Sequence, residues 1–96
     1  MALSVIAKRR LRKGMGKGHY ADEISAIIDA DSGTVGVKAA RTLGVAMGDK
    51  ATADALVTVI NAGGGAVNDT IRGKLAKVCA SRVYANEIAD AVVANA

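Results

Sequence analysis

Apolar residues recur at four-residue steps in three places along the chain. Leu3, Ala7, Leu11 and Met15 make the first stripe, Val35, Ala39, Leu43 and Met47 the second, and Val67, Ile71, Leu75 and Cys79 the third. A step of four keeps each set on one side of a helix. Each stripe is followed by a set at i, i+3 and i+7: Ala21, Ile24 and Ile28, then Ala53, Leu56 and Ile60, then Ala85, Ile88 and Val92. That spacing again marks one helix face. The pattern predicts six short helices and no strand, an all-α fold whose core is these apolar positions.

Corresponding residues stand 32 positions apart. Leu11, Leu43 and Leu75 correspond, as do Met15, Met47 and Cys79, and Ile28, Ile60 and Val92. The chain divides into three tandem units, 1–32, 33–64 and 65–96, each expected to be an αα-hairpin within a single domain. Gly16, Gly48 and Ala80 fall just past the first stripes, where a left-handed residue ends a helix. Asp49 and Ser81 then suit the N-cap of the next helix, and Ser4, Thr34 and Asn68 or Asp69 suit the N-caps of the first helices. Linkers are expected near 31–34 and 63–67. A hairpin of this size cannot bury its apolar face alone, so the three are expected to stack. The chain ends with Val92 and Val93 close to its terminus, an end better suited to lying against another protein than to facing water.

Composition makes the core thin. Phe, Trp and Pro are absent, there are two Tyr, and much of the apolar content is Ala, whose burial contributes far less than the roughly 1.5–3 kcal/mol of a Leu or Ile. A partner or further copies are expected to help hold such a chain folded. Cys79 is the sole cysteine, which rules out an intrachain disulfide and a thiolate cluster and leaves a small apolar core residue. No apolar stretch approaches the roughly 20 residues of a membrane span, and the first residues do not form a signal-peptide core. Synthesis in a cytoplasm and no membrane partner are expected.

The formal net charge is +4, and it is unevenly spread. Lys8, Arg9, Arg10, Arg12, Lys13 and Lys17 crowd the first unit, whereas the second holds Lys38, Arg41 and Lys50. Acids gather in the second helical segment, as Asp22, Glu23 and Asp29 show, so part of this charge is balanced across the hairpin. The basic cluster, with Val92 and Val93, is the candidate docking surface. It suits an acidic protein surface or a nucleic-acid backbone, although no aromatic residue interleaves to stack bases. Arg12 to Gly18, rich in Gly and Lys, invites a phosphate-loop reading, but no strand precedes it and its spacing is not that of a Walker loop. Val37 to Val45 resembles the first helix and turn of a helix-turn-helix, yet a turn at Gly44 would have no counterpart in the other units. His19 has no second His or Cys at ligand spacing, and adjacent Asp22 and Glu23 cannot share a helix face. No nucleophile, base and oxyanion donor converge; no enzymatic activity, cofactor or metal is expected.

The unit that carries Leu43, Met47, Gly48, Asp49, Lys50, Ala53, Asp54 and Leu56 resembles a short helical-hairpin unit of small virion proteins of tailed bacteriophages, described as head fibre, head decoration or minor capsid proteins. The resemblance covers the whole chain through its three units. The first departs with Lys17 and Gly18 for Asp49 and Lys50, the third with Ser81 and Arg82. It implies a non-enzymatic structural protein, made in the host cytoplasm and carried in the virion, that docks on other virion proteins as a homo-oligomer or multi-copy part. The alternative is a small basic nucleic-acid-binding protein.

Overall fold

Each apolar stripe is a helix from its second member onward, while Leu3, Val35 and Val67 are buried just ahead of the helix starts. The computed structural model describes residues 3–94, which contain α1 (Val5–Met15), α2 (Gly18–Ala30), α3 (Val37–Met47), α4 (Lys50–Asn61), α5 (Asp69–Cys79) and α6 (Arg82–Ala94) and no strand. Gly16, Gly48 and Ala80 end α1, α3 and α5 in the left-handed region, with φ of 70°, 71° and 53°. This reverses the chain within two residues and makes three tight hairpins. Ser4, Asp49 and Asn68 accept hydrogen bonds from Ala7, Thr52 and Ile71 as N-caps. Thr34 does not cap α3. That helix begins after Gly36, whose N–H is held at 2.7 Å by Glu23 of the preceding hairpin, while Thr34 is exposed in the linker.

The hairpins do not form an open stack. Within each, the two helices pack on one another; α2 then packs on α3, α4 on α5, and α6 returns to α1, while α1, α3 and α5 also touch one another. The contacts therefore run in a closed ring. Its extents of 26 × 26 × 25 Å are nearly equal, and its radius of gyration of 11.1 Å lies below the roughly 12–13 Å typical of a domain this long. Closure corrects the expectation of a bare C-terminal end. Val92 is 1% exposed, in one core with Ala89 and Ala91; residues 95 and 96 lie outside the described residues. Gly14 permits the tightest approach: a Cβ there would stand 1.9 Å from the Val78 carbonyl oxygen of α5.

Backbone N–H groups at the starts of the hairpins are satisfied by side chains. Asp29 accepts from Leu3 at 2.7 Å and Asn61 from Val35 at 2.8 Å. Glu87 accepts from Ser4 at 2.8 Å, as Glu23 does from Gly36. Ala55 of the second hairpin and Val93 of the third stand at the positions corresponding to these acceptors, and neither side chain can accept a hydrogen bond. The core holds Leu11, Leu43, Leu75, Met15, Met47, Cys79, Ile24, Leu56, Ile88, Ile28 and Ile60, all buried. Ser25 is a buried polar exception whose hydroxyl has no partner among the described residues. No helix among them is long and apolar enough to cross a membrane.

Candidate functional site

The six cations singled out from the sequence divide into two sets. Lys8 and Arg10 are half-buried, and Arg12, though exposed, is paired within its own hairpin. The Lys8 ammonium lies 2.7 Å from Asp29. Burial opposes ionisation of that carboxyl, but hydrogen bonds from Lys8 and from the Leu3 N–H, with the Lys8 charge, outweigh it and hold Asp29 below the usual range. The Arg10 guanidinium covers the half-buried Tyr84 ring of α6 at 5.6 Å, a cation–π contact across the ring closure. Arg12 pairs with Asp22 at 3.3 Å and lies over Gly18, where a Cβ would come within 2.8 Å of a guanidinium nitrogen.

Arg9, Lys13 and Lys17 turn outward. All three are exposed, and none forms an ion pair among the described residues. Arg9 and Lys13 are four residues apart and so share one face of α1. With Arg12 they line a shallow hollow of about 370 Å³ that also meets Gly16 and Gly18. Such a surface can answer carboxylates or phosphates. Val92 takes no part in it, being buried in the core, and Val93 is 37% exposed on α6.

Two further cations, Lys74 and Lys77 of α5, lie against the second hairpin. The approach of Gly14 to Val78 brings the C-terminal half of α5 beside α1. There Lys77 reaches the end of α3, its ammonium 3.0 Å from where a Cβ on Gly48 would be. Lys74 acts on Asp49, whose carboxyl is lowered first by hydrogen bonds from Thr52 and more weakly by this charge.

A second concave surface went unread in the sequence. Val35, Val37, Ala40, Arg41, Gly44 and Val45 of the second hairpin, with Lys50 and Asp54, line an apolar groove of about 450 Å³. Elsewhere, chemistry is sparse. Among the described residues no three His, Cys, Asp or Glu side chains stand together as metal ligands. The Cys79 thiol is buried and pushed up to about 11 by desolvation, and His19 is exposed with its ring edge-on to Tyr20. No family model, curated protein or solved structure matches the chain.

Proposed function

We propose that this chain is a non-enzymatic structural protein of a tailed-bacteriophage virion, associated with the capsid and docked on other virion proteins through the outer face of α1. The observation that carries the reading is the division of the first hairpin's cations. Lys8, Arg10 and Arg12 are engaged within the chain, whereas Arg9, Lys13 and Lys17 are left open together. Exposed, uncompensated cations of this kind steer and orient association more than they hold a fold together. The hairpin resemblance to small phage virion proteins supports the setting. The closed ring supports the role: a body that covers its own apolar ends presents a fixed surface to a neighbour.

Mass spectrometry of purified particles tests this reading. The expected result is this chain at a constant copy number per particle that survives a salt wash. Its absence from particles would end the reading. Nucleic-acid binding is the second reading, favoured by the same open cations, but the geometry gives it less. Tyr84 is covered by Arg10 and Tyr20 is half-buried, leaving no platform for stacked bases. Backbone contact through three cations would give a slope of log affinity against log salt of about −3 on duplex DNA.

A further inference from the structure

The three hairpins differ at two positions on the side of the first helix that looks toward the second, and only in the second hairpin do both carry small residues. The first hairpin has Lys8 and Arg12 there, the third Arg72 and Ala76, the second Ala40 and Gly44. The long side chains fold back across their own hairpins. Lys8 reaches Asp29, Arg12 lies over Gly18 to meet Asp22, and Arg72 bonds Asn86 and Asp90. Ala40 and Gly44 have nothing to fold back, so the space between α3 and α4 stays open as the 450 Å³ groove. Val37 and Val45 border it at 74% and 79% exposure, the highest among the exposed large apolar side chains of the described residues. Apolar surface displayed in this way gains by being covered.

Charge indicates what covers it. Arg41 stands between the two valines, exposed and without an ion pair among the described residues. Lys50 and Asp54 answer each other at 2.7 Å. The groove is therefore apolar with one open cation on its rim. A second copy of this chain fits poorly. Its net charge is +4, and its other well-exposed apolar residues, Val5 and Val83, are followed by Lys8 and Arg9 or preceded by Arg82. Such a copy would bring cations to a cation. We infer that the α3–α4 groove is a second docking site, which takes an apolar side chain from an acidic segment of a partner protein whose carboxylate meets Arg41. The inference rests on the reading of the chain as a docked part, and adds an apolar anchor to the electrostatic face of α1.

The test uses the full chain, ¹⁵N-labelled, titrated with a capped ten-residue peptide of leucine, alanine and glutamate and with the same peptide carrying lysine for glutamate. The expected result is saturable amide shifts at Ala40, Arg41, Gly44 and Val45 with the acidic peptide, and at least tenfold weaker binding of the basic one. Gly44→Arg, which places a long side chain in the groove, should abolish these shifts. Arg41→Glu, on an exposed face that does not bear on folding, should weaken binding at least fivefold and keeps the test decisive if Gly44→Arg fails to fold. No binding, shifts confined to Arg9 and Lys13, or equal affinity for both peptides would overturn the inference. So would a dimer in analytical ultracentrifugation that Gly44→Arg dissolves, since the occupant would then be a second copy. Particles play no part in this assay. If it fails while α1 still governs particle association, the groove inference falls and the proposed function stands.

Discussion

The carboxylate of Glu87 accepts hydrogen bonds from both the backbone N–H and the hydroxyl of Ser4, at 2.8 and 3.0 Å, across 83 residues of sequence. Glu23 holds the N–H of Gly36 in the same way at 2.7 Å. Ser4 and Gly36 each precede the first helix of a hairpin, and each glutamate comes from the second helix of a neighbouring one. The bond that ties the first hairpin to the second thus also ties the third to the first. A ring closed like this has no bare end, which removes one reason for the chain to need a partner in order to fold. What remains for a partner is the surface.

Closure makes circular permutation a direct test of the architecture. Corresponding apolar residues stand 32 positions apart, so fusing residue 96 to residue 1 is expected to preserve that interval without an added linker. New termini between Gly64 and Gly65 should give a cooperatively folding protein within about 1 kcal/mol of the parent in urea unfolding, as expected when only loop connectivity changes. A permutant that fails to fold would place the third hairpin elsewhere than against the first.

Two glycines in helices should respond oppositely to alanine. Gly14→Ala forces a Cβ to 1.9 Å from the Val78 carbonyl oxygen, and moving backbone apart in a packed interface should cost about 2–3 kcal/mol. Gly73 is exposed in α5 and a Cβ there meets nothing nearer than 3.9 Å. Gly73→Ala should therefore stabilise by about 0.5–1 kcal/mol through helix propensity. Chemical denaturation of the two variants checks both signs.

Ala80 performs the turn that Gly16 and Gly48 perform in the other hairpins, at φ 53°. The left-handed conformation costs a residue with a Cβ roughly 1–2 kcal/mol. Ala80→Gly should raise stability by about 1 kcal/mol, less if the glycine's unfolded-state freedom offsets the relief. A loss of stability would mean that the Ala80 methyl makes contacts outweighing its strain.

The helices were legible because the stripes through Leu11, Leu43 and Leu75 fix both period and face, and the turns because glycine marks two of the three. Closure was not legible, since periodicity says which face is apolar and not whether a stack of hairpins ends or returns. It depends on Gly14 letting α1 reach α5 and on Glu87 reaching Ser4, contacts between opposite ends of the chain. Part of the candidate surface was visible as a run of cations. Which of them remain open was not, because Lys8 is answered by Asp29 and Arg10 by Tyr84, and both depend on packing. The groove was invisible for a simpler reason: it exists through what Ala40 and Gly44 lack.

Cys79 offers a probe of pH and of opening. Desolvation raises its thiol from 9.0 to about 11, so the folded state binds the proton more tightly than the unfolded one. Its contribution is full below about pH 9 and is lost as pH rises through 11, amounting at most to about 2–3 kcal/mol by linkage. The stability difference between the parent and Cys79→Val should therefore shift against the parent across that window. At pH 8 a thiol reagent should label the native chain only at the rate of unfolding, and rapid labelling would show that the site opens without it.

The most direct measurement is co-sedimentation of the chain with purified particles stripped of it. Arg9→Glu, Lys13→Glu and Lys17→Glu together reverse the open cations and leave Lys8, Arg10 and Arg12 in their contacts. The expected result is at least tenfold weaker association at physiological salt, with the helical content of the variant unchanged. Arg10→Gln, which alters the engaged set at Tyr84, should change association less than twofold. Particle binding by the triple variant at the parent's affinity would contradict docking through the outer face of α1.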